Sequence, residues 1–526
     1  MSQIDVIKER VQYEQLLKES SSNHILKGEY LIRDSHPDMR EVLGVEVKST
    51  ITNQEILGDK VMVEGLLNYT MFYLPKEEGT SENASRKIHS VAFTEKFANY
   101  LELENDGHRI ICEVECGVEH IEANLINERK VGIDGIIEIK WELYRSGEFE
   151  YVKDVEGKED IQVLRKEEVL NGVKGEKEVE LMGKSMMKVT MDKPEIEDIL
   201  NCSMNLHKKE IKIGEDKIYI GCYCKIEVLY KGKDTSDIMT LQDDVYLSKE
   251  EELVGITNEM MSSMNMDVNN SEYSITTDDL GENRVVNLEF VIKGKVKIFS
   301  KEKIELIKDA YSPTTNMELT TGNHQIGIIQ GCGNNESIVK ENIYLNNDKT
   351  KIEQIISANG SVCITDKIAE NDRVRIEGVV KVSVLYKIME EENCYAIAVG
   401  DVPFVSSIEI KGAKDGMDII VKGVLENIDA SVEANTIAVR ATVITSAKAC
   451  YKVNKEWIVD IVDCGDEDKV KQASITIYVI GSGDTLWQLA KKYNTTIDEL
   501  IRLNDIENSE ELKPGDKLMI PGRAIF

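Results

Sequence analysis

Alternation of apolar and polar residues dominates the first 463 positions of the chain. It is clearest at 225–230 and 379–385, where apolar side chains recur at every second position. In a β-strand successive side chains point to opposite faces, so this period predicts strands with one face on a core and the other facing solvent or a partner. The pattern therefore predicts a mainly β protein over this part of the chain.

Two patterned elements return at a nearly constant spacing. The first closes an apolar run with a tyrosine in each copy: Tyr73, Tyr230 and Tyr386. The second is a short upstream segment with an aliphatic residue at the same position in each copy: Val42, Ile199 and Ile355. In both elements the second copy follows the first by 157 positions and the third follows the second by 156. Copies of this length indicate three tandem domains rather than a solenoid of short repeats.

Composition shifts between the copies suggest boundaries. The stretch 157–177 is dense in lysine and glutamate, and 314–337 is rich in glycine, asparagine and threonine, so both are interpreted as connectors. The first residues are charged with a loose apolar stripe, which predicts a helical segment. The predicted order is an N-terminal helical segment at 1–24, repeats at 25–158, 176–315 and 335–463, a linker at 464–475, and a small domain at 476–523.

From residue 476 onward the pattern changes. A β-rich run at 476–480 ends in glycine and serine, after which Asp484 or Thr485 can cap a helix. Apolar residues then recur at the i, i+3, i+4, i+7 spacing of one helix face: Leu486, Leu489, Ala490 and Tyr493. This spacing predicts a short helix directly after the strand.

A second helix and a closing strand complete the small domain. Thr496 and Glu499 form a capping box, which starts the second helix. Pro514 and Gly515 suit the centre of a type II turn, and an apolar run at 517–520 follows. The predicted order is strand, helix, helix, strand.

These residues resemble a LysM domain, in register and without a gap. The matching positions are Tyr478, Ile480, Gly483, Asp484, Thr485, Leu486, Trp487, Leu489, Ala490, Tyr493, Leu500, Asn504, Leu512, Gly515, Leu518, Ile520 and Pro521. The resemblance implies a small α+β (βααβ) fold that binds glycans containing N-acetylglucosamine, chiefly peptidoglycan and chitin. It also implies a groove between two loops, with candidate partner- or glycan-binding residues Gly483, Asp484, Thr485, Leu486, Trp487, Asp505, Ile506, Glu507 and Asn508.

Some of these positions have a competing interpretation as structural residues. Leu486 fits the module core, while Asp484 and Thr485 fit helix caps equally well. Trp487 follows Leu486, and the 100° step of a helix turns it away from the apolar face. We therefore expect Trp487 to be an exposed anchor for a partner, the alternative being that it packs under the N-terminal strand of the module.

The repeats carry a resemblance of their own. The motif Val-Leu-Tyr-Lys occurs at 228–231 and 384–387, and Lys-Asp-Ala-Tyr-Ser-Pro follows a repeat at 308–313. A triplicated β-rich unit with these motifs resembles the SPOCS domain. Three such repeats before one LysM domain resemble the SipL family of clostridial spore coat morphogenesis proteins. This resemblance implies a non-enzymatic scaffold in the mother-cell cytoplasm at the forespore surface, with the basement-layer coat ATPase, gripped by LysM, and other coat proteins as partners.

The net charge of the chain and its hydropathy pattern restrict the classes of partner that the protein can bind. The chain has a formal net charge of −32 and a pI near 4.8, which disfavours nucleic acid and anionic membranes as direct partners. Neither a signal peptide nor an apolar run of transmembrane length is found in the sequence. We therefore favour a protein partner, and a peptidoglycan-binding cell wall or cortex protein is the alternative.

Cysteines and catalytic motifs add little to this interpretation. The ten cysteines contain no CxxC pair and are interpreted as reduced thiols, with a metal site from Cys112, Cys116 and His120 as the alternative. Gly183-Lys184-Ser185 lacks the earlier glycine of a phosphate-binding loop, because Glu178 stands at that position. The sequence thus predicts no enzyme and no cofactor.

Overall fold

A computed structural model describes residues 4–76, 88–103, 109–157, 160–235, 237–345, 351–389, 395–466, 475–506 and 513–522. The first unit contains β1 (Asp5–Leu31), β2 (Met39–Leu57), β3 (Lys60–Pro75), β4 (His89–Glu102), β5 (Arg109–Asn127) and β6 (Lys130–Glu156). The second contains β7 (Gln162–Lys188), β8 (Ile196–Ile213), β9 (Lys217–Gly232), β10 (Ile238–Glu252), β11 (Met261–Thr277) and β12 (Asn283–Tyr311). The third contains β13 (Thr315–Tyr344), β14 (Ile352–Glu370), β15 (Arg373–Ile388), β16 (Tyr395–Glu409), β17 (Asp418–Glu433) and β18 (Thr436–Asp466). The chain ends in β19 (Ile475–Val479), α1 (Leu486–Lys492), α2 (Ile497–Asn504) and β20 (Lys517–Pro521).

All three units share one topology, so the prediction of a mainly β repeat protein is confirmed. In each unit the second, third and fourth strands form an antiparallel meander, while the last strand lies between the first and the fifth. The two sheets pack face to face around a common core, which in the first unit contains Leu26, Val63, Tyr69 and Trp141. Each unit is therefore a small sandwich whose first strand is joined to its last.

The two repeating sequence elements meet directly in the fold. The aliphatic residue of the upstream element pairs across the ladder with the tyrosine of the following strand in every unit. The pairs are Val42 with Tyr73, Ile199 with Tyr230, and Ile355 with Tyr386. The constant spacing in the sequence thus reflects one ladder register used three times.

The predicted N-terminal helix is wrong. Residues 5–31 form β1, which pairs with β6 from Asp5 opposite Glu156 to Leu31 opposite Lys130. The loose apolar stripe was compatible with either structure, and the long backbone ladder to β6 outweighs local helix preference. The stretches interpreted as connectors are likewise mostly the starts of β7 and β13. The predicted boundaries at 25, 176 and 335 therefore cut the first strand of each unit.

The three units close into a ring. The fourth strand of each unit lies against the second strand of the next: β4 against β8, β10 against β14, and β16 against β2. Side chains from all three meanders meet in one cluster, here called the meander hub: Phe72, Leu74, Ile88, Leu200, Leu229, Ile238, Ile356, Leu385 and Tyr395. Three of them, Phe72, Leu229 and Leu385, precede the repeated tyrosines. Equivalent positions of the repeat thus form a shared core between the units.

The long sheets join the units a second time. Their apolar residues form a cluster that also contains members of each unit: Val11, Phe149, Tyr151, Leu170, Ile304, Leu306, Ile326 and Trp457. Polar contacts accompany these clusters. The carboxylate of Glu46 in the first unit accepts hydrogen bonds from Asn201 at 2.9 Å and Asn359 at 2.8 Å, one from each of the other units. Burial raises the pKa of Glu46 despite these two donors.

Candidate ligand-binding site

The C-terminal module has the βααβ order that the sequence predicts. Its two strands pair antiparallel, with Tyr478 opposite Leu518. The two helices cover them, and the core is made of Ile480, Leu486, Leu489, Ala490, Leu500, Leu518 and Ile520. Asn504 ties α2 to β20, because its side chain donates to the carbonyl of Met519 at 2.7 Å and accepts from the Met519 amide at 2.6 Å. The strands and helices thereby hold the connecting loops in place.

The first candidate loop runs from β19 to α1 and is braced by two side chains. Thr485 is the N-cap of α1, since its side chain accepts from the Gln488 amide at 3.2 Å. Asp484 accepts from the Gly481 amide at 2.7 Å and from the Tyr478 hydroxyl at 2.8 Å. These two hydrogen bonds hold the pKa of Asp484 below its usual value. Gly483 has a φ of +91°, a left-handed conformation that favours glycine.

The second candidate loop leaves α2. Asp505 is the C-cap in the left-handed conformation and is exposed, while Ile506 is half-buried and donates its amide to the Ile501 carbonyl at 3.1 Å. Glu507 and Asn508 belong to a stretch that the structure leaves undescribed. Gly483, Thr485 and Asp505 are thus the predicted site residues that the structure shows exposed.

Leu486 belongs to the core of the module. Its side chain is 6% exposed and packs with Leu489 and Leu518. The interpretation of Leu486 as a structural residue therefore describes its side chain. A ligand contact through the Leu486 side chain is incompatible with this position.

The expectation of an exposed Trp487 is wrong. Trp487 is half-buried against the end of β12, where its indole Nε1 donates to Asp309 Oδ2 at 2.8 Å. Its ring meets the ring of Tyr311 edge-on, with centroids 5.0 Å apart and planes at 76°. Trp487 also packs against the core cluster of its own module. Helical periodicity carried no information about another domain on that side of the helix.

Sequence reasoning missed Asp309 and Tyr311 as partners of the module. Tyr311 is 6% exposed, belongs to the module's core cluster and donates its hydroxyl to the Thr495 carbonyl at 2.9 Å. Both residues lie in the 308–313 motif that resembles the SPOCS domain. An aromatic and an acidic residue at the end of a repeat were the available signal.

The alternative of a metal site on β5 is wrong. Cys112 is buried, whereas the His120 side chain is 62% exposed. Four residues of extended strand span about 13 Å, so Cys112 and Cys116 lie too far apart to share one ion. Within the described residues, no group of three or more histidine, cysteine or acidic side chains is placed to hold a metal.

Thiol reactivity should separate the cysteines by burial. Cys332 and Cys464 are exposed, whereas burial raises the pKa of Cys112 and Cys224 to about 12. Because the thiolate is the reactive form, we expect iodoacetamide at pH 8 to modify Cys332 and Cys464 in the native protein and to spare the buried pair. Peptide mass spectrometry measures this, with denatured protein as the fully modified control. Equal alkylation rates at Cys112 and Cys332 in native protein would contradict the burial pattern.

Comparison with protein families agrees with the architecture. The family model described as "SipL, SPOCS domain" matches residues 38–126, 195–276 and 351–433, and the LysM domain model matches 478–521. The chain belongs to the SipL-like proteins. Each SPOCS match begins near the start of the meander and ends at the fifth strand, so the long first and last strands of every unit lie outside it. The SPOCS and LysM domains together support a sporulation-associated, glycan-binding scaffold.

Two curated proteins match short segments of the chain. The chain is 47% identical over 47 residues to "Probable endopeptidase p60" of Listeria grayi, covering 9% of each protein. It is 43% identical over 54 residues to "Chlorophenol reductase" of Desulfitobacterium hafniense, covering 10% of this chain and 16% of that protein. The chain thus spans less than a fifth of either relative. No solved structure matches it, and no helix among the described residues is long and apolar enough to cross a membrane.

Proposed function

We propose that this SipL-like protein is a non-enzymatic scaffold of endospore coat assembly. In this proposal its LysM domain holds the basement-layer coat ATPase at the forespore surface, on the mother-cell side. The SPOCS units supply the body of the scaffold and the surfaces for other coat proteins. The support comes from the domain set, because both matched families are binding or scaffold modules.

One observation carries the proposal. The three SPOCS units share the meander hub and the apolar cluster of the long sheets, and a single small module lies at the end of β12 with its first loop exposed. A body of three joined units that displays one compact binding module suits a protein that links a partner to an assembly. Loops on a rigid framework are common sites of recognition.

The charge on the module favours a protein over a neutral glycan as its partner. Asp505 and Asp516 are exposed carboxylates at or near the second loop, and Asp498 is exposed on the first turn of α2. Carboxylates attract lysine and arginine on a protein surface and steer its approach. Peptidoglycan binding remains the second candidate, because the LysM family match supports glycan recognition.

A capture experiment distinguishes the two candidates. Full-length protein and a chain ending at residue 466 serve as baits in extracts of sporulating cells, and both are also sedimented with purified peptidoglycan. The proposal expects the ATPase to be recovered with the full-length chain and lost with the shortened one. Sedimentation with peptidoglycan and no recovery of the ATPase would instead favour the cell wall or cortex protein.

Replacing Gly483 with alanine should weaken binding without unfolding the module. A Cβ at this position meets no atom within 4 Å, so the cost comes from the positive φ and amounts to about 1–2 kcal/mol. The strain reshapes the first loop, and we expect a loss of affinity of about fivefold or more, since 1.4 kcal/mol corresponds to about tenfold. Titration calorimetry with the captured partner measures the change.

Gly281→Ala provides the matched control. Gly281 has a φ of +82° and open space around it, but lies in the exposed turn before β12 of the second unit. The two variants should lose similar stability, and only Gly483→Ala should lose affinity. Equal affinities for both variants would remove the first loop from the binding site.

A further inference from the structure

The carboxylate of Asp309 in the second SPOCS unit contacts two side chains of the LysM domain. Asp309 uses both oxygens: Oδ2 accepts from Trp487 Nε1 at 2.8 Å, and Oδ1 accepts from Lys491 Nζ at 2.6 Å. Trp487 and Lys491 lie one helical turn apart, on the same side of α1. A single side chain at the end of β12 thus holds one face of the helix.

Tyr311 adds an aromatic contact on the same side. Its ring packs edge-on against Trp487 at 5.0 Å between centroids, and its hydroxyl reaches the Thr495 carbonyl beyond the C-terminal end of α1. Tyr311 is 6% exposed and lies in the core cluster of the LysM domain. The SPOCS unit therefore completes an apolar surface that the module leaves open.

The contact is small enough to open. The Lys491 and Asp309 side chains are 42% and 26% exposed, so solvent screens their attraction. The other described interactions at this face are one indole hydrogen bond, one hydroxyl hydrogen bond, and the packing of the Tyr311 ring against Trp487 and the module core. A contact made by so few groups can open locally while the meander hub and the apolar cluster of the long sheets stay intact.

We propose that this contact is a clasp that withholds Trp487 from the LysM partner. The inference rests on the proposed function, in which the LysM domain binds a coat protein. In the closed arrangement Asp309 already accepts from the indole N–H, and Tyr311 already packs against the indole ring. The partner that replaces them is a protein surface presenting a carboxylate beside an aromatic ring. Because only the open form offers Trp487, the closed population lowers the apparent affinity.

Tryptophan fluorescence reports the opening without any partner. The chain has three tryptophans, of which Trp141 is 0% and Trp457 is 2% exposed, while Trp487 is half-buried. Acrylamide quenching of the full-length chain therefore follows Trp487. We expect Asp309→Ala to increase quenching, and we expect Trp487→Phe to abolish the increase. Glu289→Ala is the control. It removes an exposed ion pair, in which a lysine Nζ lies 2.6 Å from the Glu289 carboxylate, elsewhere in the second unit.

Binding then tests whether the clasp withholds the partner. Asp309→Ala in the full-length chain should bind the purified coat ATPase about fivefold or more tightly than the unmodified chain. Unchanged quenching in Asp309→Ala would overturn the clasp. Increased quenching with equal or weaker binding would also overturn it, because the contact would then only position the domain. Failure of the unmodified chain and of Asp309→Ala to bind the ATPase would contradict the proposed function, while quenching would still decide whether the clasp opens.

Discussion

Replacing Lys297 with alanine is expected to lower the free energy of unfolding by about 3–5 kcal/mol. Lys297 in the second unit is paired with Glu14 at 2.9 Å and Glu113 at 2.7 Å in the first unit. The side chains of Lys297 and Glu14 are each 5% exposed. Removing the ammonium group would leave the buried Glu14 carboxylate and the half-buried Glu113 carboxylate without their counter-charge, which is the costly way to break a buried ion pair.

Lys295→Ala is the matched control on the same strand. Lys295 pairs with Glu176 at 2.6 Å, but these side chains are 39% and 38% exposed. An exposed pair contributes about 0–1 kcal/mol, so this variant should melt nearly like the unmodified chain. Urea denaturation of both full-length variants measures the difference. Equal losses would show that burial between the units does not govern the strength of the Lys297 pair.

The pH dependence of the Lys297 effect follows from its partners. Burial acts to raise the pKa of Glu113, but the charge and hydrogen bond of Lys297, together with the charges of Lys422 and Lys448, hold this pKa below its usual value. A lowered folded-state pKa gives stability that is present above the unfolded value and is lost as the pH falls through the folded value. The gap in stability between the unmodified chain and Lys297→Ala should therefore narrow in acid.

Replacing Leu229 with alanine should cost about 2–5 kcal/mol. Leu229 is 2% exposed in the meander hub, where side chains of all three units meet. Truncation leaves a cavity at a position that no single unit can repack alone. Leu385, at the equivalent position of the third unit, is 5% exposed in the same hub, so Leu385→Ala should produce a loss of similar size.

The hub also predicts how the protein unfolds. Because the three units share the hub, Leu229→Ala should shift the melting of all of them together, as calorimetry and limited proteolysis can show. Leu280→Ala is the control, since Leu280 is 70% exposed and should change stability by no more than about 0.5 kcal/mol. Selective loss of the second unit, with the others melting unchanged, would contradict a shared core.

Much of the local structure was predictable from the sequence. The spacing of Tyr73, Tyr230 and Tyr386 predicted three equivalent units, and each tyrosine occupies the same ladder position. The capping box at Thr496 and Glu499 predicted the start of α2, where the structure shows both reciprocal hydrogen bonds. These features were accessible because each depends on residues that are close in sequence or repeated at a fixed interval.

The candidate site was predictable only in part. Thr485 as a helix cap follows from its own side chain and the first-turn amides, which are local. The position of Trp487 depends on Asp309, 178 residues earlier in the chain. No local pattern specifies which surface of another domain will occupy a helix face.

The sequence by itself determined the strands, their threefold repetition and the βααβ module, because side-chain periodicity and capping are short-range properties. Only the tertiary structure decided that residues 5–31 form a strand, since that depends on the ladder offered by β6 more than a hundred residues later. It also decided that the ring closes at the meander hub and that Trp487 donates a hydrogen bond to Asp309. These contacts arise from surfaces that exist only after each unit has folded. Their burial and charge pairing therefore produce no periodic pattern in the sequence.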